Sequence, residues 1–323
     1  MPAWVIDFND AFVRFVRFGP VAQHLLVFVP LGALAGVMVA KWSAYLIRRE
    51  SEGTRALSRG WWWTVVGATA ALYGALVVAV IQGNCQGVPE GGSIDWVHWR
   101  LLHHYALITF LMVATVIDFD QYLIPDEITL IGTAVGIASA IASGNMQLMH
   151  LWINWNAADP IMGPFIPEWI KDHWHWHALA WSLTGMATGA GITWVVRAVS
   201  HRVLGVEALG FGDVTLMAMI GSFLGWQPTA FVFLIAPMCG VVIGVANKLM
   251  HGRRAIPYGP YLACGTVVVL FTWKWLWTPT RDLFGHWPTL LGLALLATTS
   301  LAALLGLIRL YRAIPVKRRT EEY

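Results

Sequence analysis

Apolar runs of about 20 residues recur along the chain, at 23–46, 61–82, 99–118, 178–197, 228–249, 258–277 and 287–310. Each is long enough to cross a hydrocarbon core of ~30 Å as a helix. A backbone in lipid must satisfy its own hydrogen bonds, which favours helices as the spanning element here. Two further runs, 128–143 and 214–226, are short; at ~1.5 Å per residue the second makes about 20 Å of helix. The chain is therefore read as an all-α polytopic membrane protein with eight to nine transmembrane helices, one integral-membrane domain over 1–323. Composition agrees: 57% of residues are hydrophobic and 12% charged, against about 25% charged in a soluble domain. The 19 Trp residues suit the membrane–water boundary.

Other classes are excluded at this level. Cys85, Cys239 and Cys264 lie far apart with no CxxC pair, so neither a zinc ribbon nor a disulfide framework is indicated. The net charge is +3 without a basic cluster, so a nucleic-acid partner is not expected and the lipid bilayer is. The start, "MPAWVIDFNDAFVRFVRFGP", has no uninterrupted apolar core and no small-residue cleavage site, as a signal peptide would need; an amphipathic helix on the membrane surface suits it better. Most of the 21 Lys and Arg fall on one side if the 47–60 loop is cytoplasmic. The N-terminus is then outside, the C-terminus is cytoplasmic, and 144–177 is the long extracytoplasmic loop.

Acidic residues collect on that same cytoplasmic face: Asp118, Asp120, Asp126, Glu127, Glu207 and Asp213. Pro125 must sit at a helix boundary, since it lacks an amide hydrogen. Asp126 and Glu127 then occupy the first turn of the next helix, where negative charge suits the macrodipole. Asp118 has no such explanation, because it closes an apolar helix, whose C-terminal end disfavours an anion. Asp213 is the opposite case. Gly210 and Gly212 permit a tight turn, and the helix that follows aims its amides at the carboxylate. If packing joins the two, one carboxylate can draw a proton from water while the other donates to a carbonyl oxygen, as in an aspartic protease.

The segment "IDFDQYLIPDEIT" resembles the first active-site motif of the type IV prepilin peptidases. "GVEALGFGDVTLMAMIGSFLGW" is similar to their second, the GxGD signature, and "IPYGPYLACG" (256–265) to a proline-glycine segment opening a late helix. The resemblance spans about 100–265, the expected catalytic core, and implies a membrane aspartic endopeptidase of the cytoplasmic (inner) membrane. It would cut the basic leader from prepilin or pseudopilin precursors at the cytoplasmic face. By position it makes Asp118 and Asp213 the catalytic pair. Gly210, Gly212, Pro125, Asp126 and Glu207 support the motifs, and Asp120 and Glu127, with Asp126 and Glu207, would attract the basic leader. Bacterial members usually carry a CxxC domain between the first two spans and add a methyl group from S-adenosylmethionine. Here the 47–60 loop holds no cysteine, so no cofactor and no N-methyltransferase activity are expected.

Two alternatives share some of these features. A polytopic transporter with intramembrane carboxylates would place ionisable groups near the midplane and show a repeat; the sequence shows neither. A presenilin-like GxGD intramembrane protease would set its first Asp after Tyr, where this chain has Ile117, and carry a Pro-Ala-Leu segment, where it has Pro257–Tyr258–Gly259. His173, His175 and His177 alternate, as a metal site in an extended segment would. No carboxylate or cysteine lies at ligand spacing beside them, so no metal is expected. His103 and His104 are expected to serve helix packing.

Overall fold

A computed structural model describes residues 3–87, 94–152, 154–159, 163–165, 168–207, 209–251 and 257–313. Eleven helices and one small hairpin are formed by these residues. The helices are α1 (Ala3–Phe18), α2 (Val21–Glu50), α3 (Arg59–Ile81), α4 (Ile94–Gln121) and α5 (Asp126–Ser143), followed by strands β1 (Asn154–Asp159) and β2 (Gly163–Phe165). Then come α6 (Glu168–Asp172), α7 (Trp174–Leu204), α8 (Phe211–Leu224), α9 (Trp226–His251), α10 (Gly259–Phe284) and α11 (Trp287–Ala313). The fold is all-α, and the hairpin is an antiparallel pair within the 144–177 loop.

Among the described residues, seven helices are long and apolar enough to cross a membrane: α2, α3, α4, α5, α7, α9 and α11. The chain is a multi-pass membrane protein. Helix α8, with 14 residues, is the short apolar one anticipated from the sequence. Helix α10 has the length, at 26 residues, but its Lys274, Arg281 and Asp282 interrupt the apolar stretch.

Local chemistry sets the helix ends. The Ser58 side chain accepts the Trp61 amide at 3.3 Å and starts α3, so α2 and α3 are joined by 51–58 alone. Helix α4 stops where Tyr122 turns left-handed (φ 56°), and Pro125 then launches α5 with Asp126 and Glu127 in its first turn. The amphipathic α1 is a helix as expected, with Val16 buried; Phe12 packs on Trp99 of α4, their rings 4.5 Å apart.

Lipid offers apolar side chains no hydrophobic gain on helix pairing, so close packing of small residues must hold spans together. Helices α7 and α8 do this at Gly185 and Gly221, where a Cβ on either would land on the other's backbone oxygen. Ten of the residues of α8, from Asp213 to Leu224, are buried, enclosed by α5, α7, α9, α4 and α10. Just past its C-terminal end, at the start of α9, Trp226 Nε1 donates to Leu151 O at 2.7 Å and Gln227 Nε2 to His150 O at 2.8 Å. The 147–152 segment thus folds in to meet the α8–α9 junction. At the opposite end, the ends of α2, α4 and α7 gather with the starts of α5, α8 and α10.

Candidate active site

Asp118 and Asp213 meet at that end. Both line one cavity of about 490 Å³, together with Arg49, Glu50, Tyr122–Glu127 and Gly210–Gly212. Asp118 is 4% exposed and Asp213 8%, so neither carboxylate can rely on bulk water. Each is instead given a backbone amide. The Gly210 N–H donates to Asp213 Oδ2 at 2.9 Å, the capping geometry expected where a helix starts. The Gly259 N–H donates to Asp118 Oδ2 at 3.1 Å. The contrast between the two helix ends is therefore smaller than the sequence implies: Asp118 closes α4 but also faces the amide start of α10. The Asp213 carboxylate lies within electrostatic reach of Asp118.

The surrounding residues explain why this packing is possible. A Cβ on Gly259 would collide with Asp118 Oδ2 and approach Ile124 Cδ1 to 3.0 Å. A Cβ on Gly212 would sit 3.0 Å from Ile124 Cβ, so this bare position seats α8 against the Ile124–Pro125 turn. Gly210 is different: a Cβ there meets Asp213 Oδ2 at an ordinary 3.5 Å, and its φ of −70° suits any residue. Tyr258 caps α10; burial, and secondarily the nearby Asp213, push its phenol up to about 12. It therefore keeps its proton and remains a donor beside the pair.

Three of the acids singled out from the sequence already have partners, and of these Glu127 lines the cavity. Glu127 Oε1 takes Arg49 Nη1 at 2.7 Å, while Arg49 Nη2 reaches Glu50 at 2.9 Å. Arg55 Nη1 lies 3.7 Å from Asp120 Oδ2 and donates to its backbone oxygen at 2.6 Å. Glu207 pairs with Arg197 at 2.7 Å, and Arg197 also lies over the Phe211 ring at 5.8 Å. Among the described residues, Asp126 has no ion pair although it lines the cavity.

Residues 105–245 match a family model described as the type IV leader peptidase family. The prepilin leader peptidase/N-methyltransferase of Aeromonas salmonicida (strain A449) is 28% identical over 168 residues, 51% of this chain and 47% of that protein. The protein of the same name from Escherichia coli (strain K12) is 27% identical over 169 residues, 52% and 61% respectively. That from Pseudomonas putida is 29% identical over 167 residues, 50% and 46%. Over residues 105–245 the chain is similar to the type IV leader peptidase family. It spans about half the length of the Aeromonas and Pseudomonas relatives, and no solved structure matches it. The family match contains Asp118, Pro125, Gly210, Gly212 and Asp213. Arg49, Arg55, Tyr258 and Gly259 lie outside it.

Away from the two aspartates the histidines have structural roles. Helix α7 begins at Trp174, so His173, His175 and His177 do not form the extended alternation considered from the sequence. The ring Nδ1 of His175 donates to Ile141 O at 2.6 Å, and buried His177 receives the Leu151 amide on Nε2 at 3.1 Å. His103 bridges Ser139 Oγ at 2.8 Å and Phe223 O at 3.0 Å, which ties α4 to α5 and α8. Among the described residues, no group of three or more His, Cys, Asp or Glu is arranged to hold a metal. Gly259 and Tyr258 went unassigned in the sequence, although a Tyr-Gly-Pro helix start, with proline in the first turn, is a recognisable source of free amides.

Proposed function

We propose that the chain is a membrane aspartic endopeptidase that removes the basic leader from prepilin or pseudopilin precursors at the cytoplasmic face of the inner membrane. One observation carries this reading: two buried carboxylates from α4 and α8, each held by one backbone amide, line a single cavity. Such a pair shares a proton and titrates as a unit. One member takes a proton from the attacking water while the other donates to the carbonyl oxygen of the scissile peptide. Tyr258 supplies a neutral donor nearby, and the cavity shields the developing charge from bulk water. The exposed Leu123 and Phe211 offer an apolar edge for the helix that follows the leader. The curated relatives named as prepilin leader peptidase/N-methyltransferases support the substrate class. Cleavage, and not methyl transfer, is the proposed activity, because only 51–58 separates α2 from α3.

The test is cleavage of a synthetic prepilin, with a basic leader, a glycine and an apolar helix, by the protein in liposomes. Asp118→Asn and Asp213→Asn are each expected to slow cleavage at least about 100-fold, with products weighed by mass spectrometry. The product mass is expected to show no added methyl group. A folded wild type that never cuts, or an Asn variant that cuts at full rate, would remove the peptidase reading.

A further inference from the structure

The ion pairs in and beside the cavity carry an inference that rests on the peptidase reading and deepens it. Acids placed to attract a basic leader would be expected to stand open. Instead, Glu127 and Glu50 hold Arg49, and Asp120 holds Arg55. Both arginines come from the end of α2 and the short 51–58 connection, 78 and 65 residues away from their partners in sequence. They reach across to the last turn of α4, which carries Asp118, and to the first turn of α5.

These contacts are poor candidates for structural ties. Side-chain exposure is 40% for Arg49, 51% for Glu127, 56% for Arg55 and 38% for Asp120, and exposed pairs of this kind contribute little to stability. Their position is what distinguishes them. Arg49, Glu50 and Glu127 line the same cavity as Asp118 and Asp213. A guanidinium already sits where a Lys or Arg of an incoming peptide would sit.

We propose that Arg49 and Arg55 are internal competitors for the carboxylates that recognise the basic leader, and so set how basic a substrate must be. A leader binds by exchange: its cations take Glu127, Glu50 and Asp120 while the two arginines move out into water. Asp126, which has no ion pair among the described residues, is free to make the first contact. A peptide with few positive charges does not displace the arginines and is turned away. Discrimination then comes from a competing interaction as much as from an attractive one.

The experiment measures kcat and KM for cleavage in liposomes by the full chain, using a leader with several Lys residues and a matched leader with those Lys replaced by Gln. The proteins are the wild type, Arg49→Gln, Arg55→Gln, the double variant and Arg49→Lys. Binding of the isolated Lys-rich leader peptide is followed in parallel by fluorescence anisotropy. Removing the arginines is expected to lower KM and Kd for the basic leader by about two- to fivefold, the range open to exposed pairs, with a larger change in KM than in kcat. The wild-type preference for the basic over the neutral leader should shrink in the double variant, and Arg49→Lys, which keeps the charge but not the forked contact to Glu50 and Glu127, should fall between wild type and Arg49→Gln. Unchanged or weaker leader binding in the double variant, with its thermal unfolding midpoint at the wild-type value, would overturn the competition. A gain in leader binding in a protein that never cleaves would keep the competition and remove the peptidase reading.

Discussion

Single residues make the candidate site specific. Gly259 gives Asp118 an amide and leaves room for its carboxylate, so Gly259→Ala is expected to displace Asp118. Cleavage should fall at least about tenfold, equivalent to ~1.4 kcal/mol of barrier, while the unfolding midpoint in detergent moves little. The two signature glycines should separate under the same substitution. Gly210→Ala keeps its backbone angles and an ordinary contact, and should retain activity within about threefold. Gly212→Ala presses on Ile124 and should lose clearly more. A parallel assay of the three variants against a folded-state probe checks all of these outcomes. The amide at Gly210 follows from reading the sequence, because a carboxylate three residues into a helix faces its own N-terminus. The amide at Gly259 does not, since it lies 141 residues from Asp118 and only packing brings them together.

Among the elements, α8 is the one with the least freedom. It carries Asp213 at one end and runs at the other into the start of α9, where Trp226 holds the folded-in 147–152 segment, with α7 against it through Gly185 and Gly221. Gly221→Val is expected to force α7 and α8 apart and destabilise the protein by at least about 1–3 kcal/mol. A lowered midpoint in detergent, with cleavage lost at temperatures the wild type withstands, would show it. Most helices were legible in the sequence because hydropathy integrates over 20 neighbouring residues. The same signal is silent about pairing, so Arg49–Glu127 and Arg55–Asp120 had to wait for the structure. The hairpin in the 144–177 loop gave no hydropathy signal, and the alternation of His173, His175 and His177 would have suited a metal site only in an extended segment, whereas α7 begins at Trp174. The two Trp residues between those histidines do not forbid a helix, and Ala178 directly after them favours one.

At the scale of the whole molecule, the candidate site opens where the predicted cytoplasmic loops converge. We propose, from the distribution of Lys and Arg, that this end faces the cytoplasm. In a chain freed of Cys85, Cys239 and Cys264, Thr54→Cys and Val206→Cys are expected to react with an impermeant maleimide only after the membrane is opened. Trp176→Cys should react in intact cells; the reverse pattern would invert the proposed orientation. Helix α11 contributes nothing buried from its spanning window and rests on α7 and α10, so it is peripheral to the pair of aspartates. The link from Asp118 to Gly259 has a different consequence, one of timing. During synthesis both aspartates leave the ribosome well before the amide that holds the first of them. A nascent chain stalled ahead of residue 259 carries the complete acidic pair without that support. On the proposed mechanism, competence arrives only when α10 joins the bundle, and unfinished chains are poor at cutting the membrane helices made alongside them.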